Sequence, residues 1–298
     1  MDSRGFLGLQ QSHNPYRWWL PVAPHLCTGG GFLFGGCGLG AAISAIEGTS
    51  GRELVWATGQ YLEYAKPGEV MDIDVRLAVE GHQITQARAV CHVGRREILT
   101  VNAAVGDRPI EHRGQWATMP DVPPPDQCLD RPHRMPVEGT VHEYVDQRVA
   151  KGRDFDELDG TPGDGQTLMW AQVPSVIESE THQIDATTLA VLGDFVPMGI
   201  GQALGVRGGG NSLDNTIRVG RLVPTQWVLL DIQVHIVERG FGHGLVHMWA
   251  EDGTGHLLAT ASQSCIIRMW PTPADDAKQV AEHIAEVVEG LGGTVNDA

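Results

Sequence analysis

Two polar residues stand where strand patterning leaves little room for them. Asp214 lies in Ser212-Leu-Asp-Asn-Thr-Ile-Arg, at the start of a strand-like run, and Gln263 lies in Ala259-Thr-Ala-Ser-Gln-Ser-Cys-Ile-Ile, inside an otherwise apolar one. An amide or carboxylate in a sheet core costs free energy unless it is hydrogen-bonded. An Asp facing a Gln can hold a water molecule, and an Asp in a dry pocket can act as a general base. The same two residues also read as a strand-capping Asp and a structural Gln, and the pattern leaves these readings level. A third feature is Gly36-Cys-Gly-Leu-Gly-Ala ahead of a small-residue helix. Its spacing is close to a dinucleotide turn, but no βαβ unit surrounds it. Free N–H groups at such a helix start, near Gly36 and Cys37, suit an oxyanion or a polarised carbonyl.

Other combinations carry less. His243, His247 and Glu251 are four apart, but Gly-Leu-Val-His-Met-Trp reads as a strand. That spacing spreads ligands over about 13 Å, too far for one ion. The chain has no GxSxG elbow. Cys37 and Cys265 have no nucleophile motif around them and read as small buried residues.

The elements that must position these groups come from a duplication. A shift of 159 residues sets Asp72 on Asp231, Ile73 on Ile232, Val75 on Val234, Gly81 on Gly240 and Ile98 on Leu257. Two copies are too few for a solenoid, so they should pack as a pair. Under this shift Gln263 falls on Ala104, and Asp214 falls near Gly59 by rough position, so the first copy lacks both polar groups. In each copy a short helix (Ala41 to Glu47; Thr188 to Phe195) precedes a run of strands. For the first copy these are Val55–Tyr64, Met71–Val79, Ile84–Val93 and Ile98–Val105. Ile73, Val75, Leu77 and Val79 should share a buried face. For the second copy they are Ser212–Val219, Trp227–Val237, Gly244–Ala250 and His256–Trp270. Helix first and then antiparallel strands is an α+β order.

The expected organisation is residues 1–106, a first unit with an irregular lead-in; 107–165, a Pro-rich and acidic connector, partly ordered at best; 166–270, a second unit; and 271–298, an amphipathic helical tail. The 298 residues suffice for two cores. A formal charge of −16 argues against nucleic acid as a partner. Five scattered cysteines read as reduced thiols. No run is long enough to span a membrane, and Met1 to Gln10 lacks the pattern of a signal peptide, so a cytoplasmic location is expected.

These segments together resemble the acyl-CoA thioesterase II family. The resemblance rests on Ser212-Leu-Asp-Asn-Thr-Ile-Arg, Trp227-Val-Leu-Leu-Asp, Gly240-Phe-Gly-His-Gly and Leu257-Leu-Ala-Thr-Ala-Ser-Gln. In the first copy it rests on Phe34-Gly-Gly and Tyr61-Leu-Glu-Tyr-Ala-Lys-Pro-Gly. It implies a double hotdog, in which two antiparallel sheets each wrap a central helix and join into one sheet. It also implies hydrolysis of acyl-CoA to free acid and CoA, with an Asp, a Thr or Ser, and a Gln holding the water and no cofactor or metal. The Asp maps on Asp214 and the Gln on Gln263. The hydroxyl position, counted from Trp227, falls at or beside His235, and no Thr or Ser lies between Gln226 and Thr254. Gly36 and Cys37 would polarise the thioester carbonyl, and the site would lie between the copies. A homo-oligomer, dimer or higher, is expected. The missing hydroxyl motivates an alternative, a non-catalytic acyl-CoA binding or sensing protein. A hotdog hydratase is a third reading, though Asp-x-Asn-Pro-x-x-His is absent.

Overall fold

The protein is seen here as a computed structural model that describes residues 2–131, 138–177 and 184–269. The expected tail helix lies outside these residues. The first copy contains α1 (Ser3–Leu7), β1 (Gln10–Gln11), β2 (Arg17–Pro21), α2 (Gly35–Ser50), β3 (Leu54–Tyr61), β4 (Val70–Glu80), β5 (Ile84–Val93) and β6 (Arg96–Gly106). The connector supplies β7 (Leu129–Asp130) and β8 (Asp146–Lys151). The second copy contains β9 (Gln166–Gln172), α3 (Pro174–Ile177), α4 (Ala186–Leu192), α5 (Val196–Leu204), β10 (Gly208–Val219), β11 (Val228–Glu238), β12 (Phe241–Ala250) and β13 (Leu257–Met269).

All strands described join one antiparallel sheet in the order β1-β2-β4-β5-β6-β3-β10-β13-β12-β11-β9-β8-β7. Apart from β7 at one edge, the order is mirrored about the β3–β10 junction, where the hydroxyls of Thr58 and Thr216 meet at 2.7 Å. β4 and β11, and β6 and β13, hold equivalent places, as the duplication requires. Each half of the sheet curls around its helices in a double-hotdog architecture, and one continuous apolar core fills the space between sheet and helices.

Three details depart from the sequence expectation. First, the glycines read as a turn lie inside α2, which starts at Gly35. Glycine in a helix costs about 0.5–1 kcal/mol relative to alanine. Here close packing offsets that cost: a Cβ on Gly36 would sit 2.8 Å from the carbonyl oxygens of Ala190 and Val191, and one on Gly40 would sit 3.0 Å from that of Thr187. The missing side chains let α2 and α4 pack backbone against backbone, antiparallel. Second, the helix of the second copy is interrupted and then resumes as α5, which the sequence reading lacked. Pro197 near the start of α5 has no N–H, and in a continuous helix its ring would clash with the carbonyl of Gly193, four residues back. The chain therefore breaks over 193–195. Third, Ile73 and Val75 are buried as expected, but a register shift between Leu77 and Val79 leaves Val79 exposed.

The connector is more ordered than its composition suggested. Beyond β7 and β8, its extended stretch from Gln115 to Cys128 crosses the outer face of the second half-sheet. Gln115 bonds the backbone of Gly255 and Leu257, and the indole of Trp170 donates to the carbonyl of Pro123 at 2.9 Å. There it covers a second apolar cluster of Leu168, Trp170, Leu229 and Trp249.

Candidate active site

Gln263 points from β13 into the core, and the carboxylate it meets belongs to Asp194, at the break between α4 and α5. The Gln263 Nε2 donates to Asp194 Oδ1 and, at 2.7 Å, to the Ser212 hydroxyl. Ser212 Oγ lies 3.3 Å from the same Asp194 oxygen. The other oxygen, Oδ2, accepts the backbone N–H of Gly36 at 2.7 Å, in the first turn of α2. Three side chains from three elements converge on one point, and the opposite copy contributes a helix N-terminus. Gln263 Oε1 is buried with no protein partner among the described residues.

The electrostatics follow from burial. Asp194 is 6 % exposed. Desolvation pushes its carboxyl pKa up to about 6, against the downward pull of the Gly36 amide, Gln263 and Ser212. The group is thus still ionised at neutral pH yet far more basic than an ordinary aspartate. The Tyr61 hydroxyl, buried and without a partner among the described residues, is raised well above its usual pKa by burial and by Asp194. It stays neutral and keeps its proton to donate.

Asp194, Ser212 and Tyr61 line a cavity of about 500 Å³ between the copies. The first copy contributes Phe34, Gly35, Tyr61 and Leu99; the second contributes Asp194, Phe195 and Ser212. The connector adds Arg131 and His142, the latter with its ring 6.1 Å from Phe34 and 6.3 Å from Phe195. The chamber is mainly apolar, with a few convergent polar groups at one place, as binding sites for small molecules usually are.

The structure redistributes the residues expected from sequence. Asp214 does not face Gln263. A bulge between Ser212 and Asp214 pairs Ser212 with Cys265 and Asp214 with Ser264. Residues opposite one another share a face, so Ser212 joins the Gln263 face and Asp214 turns to the other. There its carboxylate accepts the Ser264 N–H at 3.0 Å. His235 is the extra residue in a bulge between Val234 and Ile236, exposed on β11 and two strands from Gln263. The hydroxyl beside Gln263 is that of Ser212, two residues before the Asp expected to act. The amide of Gly36 is committed to Asp194. Cys37 is fully buried, its thiol held well above the usual pKa first by desolvation and then by Asp194. Gly35 and Gly38 are the first-turn residues that line the cavity. Cys265 is likewise raised, to about 11, chiefly by burial. His243 bonds Ser264, while His247 stands 3.9 Å from Asp231, so the two histidines have separate partners.

Asp194 and Ser212 were missed for different reasons. Asp194 sits in a segment that reads as helix, Leu192-Gly-Asp-Phe-Val-Pro; the nearby proline was the available signal for a break. Ser212 lies within the Ser212-Leu-Asp-Asn-Thr-Ile-Arg motif, but simple alternation gives it no separate role.

Residues 124–267 match the sequence model of the acyl-CoA thioesterase C-terminal domain. Comparison with curated proteins gives no match. Among solved structures, the chain is similar to a candidate thioesterase of Novosphingobium aromaticivorans. Identity is 29 %, coverage 86 % of this chain and 97 % of that one, and the TM-score 0.74. It shares its fold with an acyl-CoA thioesterase II of Mycobacterium marinum (20 % identity, 90 % and 98 % coverage, TM-score 0.70). It also shares it with a protein of unknown function with a hot dog fold from Alicyclobacillus acidocaldarius (18 %, 88 % and 96 %, 0.74). The second copy with part of the connector thus matches the acyl-CoA thioesterase C-terminal domain in sequence, and the two-copy fold is shared with these structures almost end to end.

Proposed function

We propose that the protein hydrolyses acyl-CoA thioesters, with Asp194, Ser212 and Gln263 holding the attacking water. The observation that carries this reading is a buried, basic carboxylate and a hydroxyl together at the wall of an apolar cavity, with the Gln263 amide bonded to both. The acyl chain occupies that cavity. Water bonded to Asp194 and Ser212 at the cavity wall, with Gln263 fixing both groups from behind, attacks the thioester carbonyl carbon and gives its proton to Asp194. The Tyr61 hydroxyl and the N-terminal end of α2 at Gly35 stabilise the developing oxyanion. As the intermediate collapses, the C–S bond breaks, the sulfur takes the proton back from Asp194, and free acid and CoA leave. A carboxyl with a pKa near 6 suits this task, because it is ionised before attack and accepts a proton more readily than an exposed aspartate.

Ser212 supplies the hydroxyl whose apparent absence motivated a binding-only reading, so that alternative has no observation of its own. The direct test is thiol release from a panel of acyl-CoAs, comparing the native chain with Asp194→Asn and Asp214→Asn. Turnover that collapses only in Asp194→Asn supports the reading. Turnover that survives Asp194→Asn and is lost in Asp214→Asn overturns it.

A further inference from the structure

One wall of the cavity is more than a hydrocarbon chain needs. Arg131, one residue past β7, lines the same cavity as Asp194 and Ser212. It also lines a small pocket beneath α5, with Met198 shared between the two. Its backbone N–H bonds the carbonyl of Gln147 at 2.9 Å, and its Nη1 bonds the Gln147 side-chain oxygen at 2.5 Å. Gln147 is itself buried and neutral.

No carboxylate among the described residues compensates this cation; burial alone acts on it, lowering its pKa to about 10, so it stays charged at neutral pH. Other arginines are better partnered: Arg52 and Arg153 each bond two backbone carbonyls, and others hold acids. Arg96 holds Glu63 and Glu69, Arg17 holds Asp74, and Arg148 holds Asp130. In a chain with 37 acidic residues, a desolvated guanidinium without an acid stands out. Five N–H donors in a planar fork match a carboxylate, and only one is used by Gln147. An anion entering the cavity would offset the desolvation of the cation.

We infer that the cavity takes acyl groups whose far end carries a carboxylate, with Arg131 as the residue that reads it. The inference rests on the proposed thioester chemistry for the position of the other end of the acyl group, at Asp194. CoA phosphates are a second source of anion. Arg131 reaches the inner wall beside Met198, whereas Arg268, exposed on the cavity rim, is the arginine placed for a phosphate.

The test uses two non-hydrolysable CoA thioethers of equal chain length, one ending in a carboxylate and one in a methyl group, titrated calorimetrically against the full chain. The native protein should bind the carboxylate form at least about tenfold more tightly, as expected for one charge-assisted pair. Arg131→Met should abolish or invert that ratio, and Arg131→Lys should retain part of it. A native ratio near one, or a ratio that persists in Arg131→Met, overturns the inference. Free CoA is titrated in parallel; if Arg131→Met weakens CoA itself by the same factor, the anion is a phosphate and the acyl assignment falls. If Arg131→Met does not fold, the native ratio and Arg131→Lys still decide. Thiol release from the matched thioesters separates the two claims: a preserved binding ratio without turnover defeats hydrolysis alone, and turnover without a ratio defeats the Arg131 assignment alone.

Discussion

The two copies keep the same strand order but treat their helices differently. In the first copy α2 runs unbroken for 16 residues with no ionisable group in its first turn except the Cys37 thiol. In the second, the helix breaks over 193–195 and places a carboxylate at the break. One copy supplies a helix N-terminus and the other supplies the acid it holds, through the contact from the Gly36 amide to Asp194. The duplication thus gave the scaffold symmetry, while the site depends on asymmetry. A strictly repeated helix would set like against like, and neither copy would offer the group the other needs.

The largest effect should come from the acid itself. Asp194→Asn is expected to lower thiol release by about 10²–10⁴-fold, the usual contribution of a general base. The rate in the native chain should rise with pH through about 6 as Asp194 ionises. Equal loss from Asp214→Asn would break the contrast between the copies.

The same substitution should stabilise the fold. Because the folded pKa of Asp194 is raised, the native state binds this proton more tightly than the unfolded chain. The carboxyl therefore costs nothing below about pH 4 and destabilises progressively as pH rises through 6. A shift from 3.8 to about 6 corresponds to roughly 2–3 kcal/mol at pH 7. Urea unfolding of Asp194→Asn should show a gain of that order at pH 7 and none at pH 4. A loss at both would assign Asp194 a purely structural role.

Gly36→Ala tests the helix contact. Its Cβ would press on the backbone of Ala190 and Val191 at 2.8–2.9 Å, which cannot rotate away. A loss of about 1–3 kcal/mol in unfolding free energy is expected, with reduced turnover as α2 and Asp194 separate. Gly40→Ala, with its nearest atom at 3.0 Å, should cost less. Ser212→Ala should reduce turnover about tenfold, near the worth of one hydrogen bond to a charged group. His235→Ala, at an exposed bulge, should stay within about 0.5 kcal/mol in stability and leave turnover intact. A marked loss there would return His235 to the site.

What could be read in the chain, and what could not, follows from how local each signal is. The strand runs and the helix-then-strand order were legible because they rest on periodicity within ten or so residues, and the repeat because a shift of 159 residues matches such runs directly. Gln263 was legible because an amide in an apolar strand is anomalous wherever the strand goes. Asp214 and Ser212 were not separable, because a bulge inverts the faces of successive residues without a sequence mark, and both bulges fall on the positions in question. The connector misled for a related reason: prolines and acids suggest an unpaired link, yet β7 and β8 extend the sheet and Arg131 reaches the cavity.

The sequence by itself determined the duplication, the helix-then-strands α+β order and the amide inside an apolar strand, since hydrophobic spacing fixes which elements form and which side they bury; the double hotdog was what the family resemblance implied. Only the tertiary structure decided the partner of that amide. Asp194 lies 69 residues from Gln263 and 158 from Gly36. It reaches both because Pro197 interrupts one helix and glycines let another approach it. No local pattern encodes that meeting; it is set where two backbones touch.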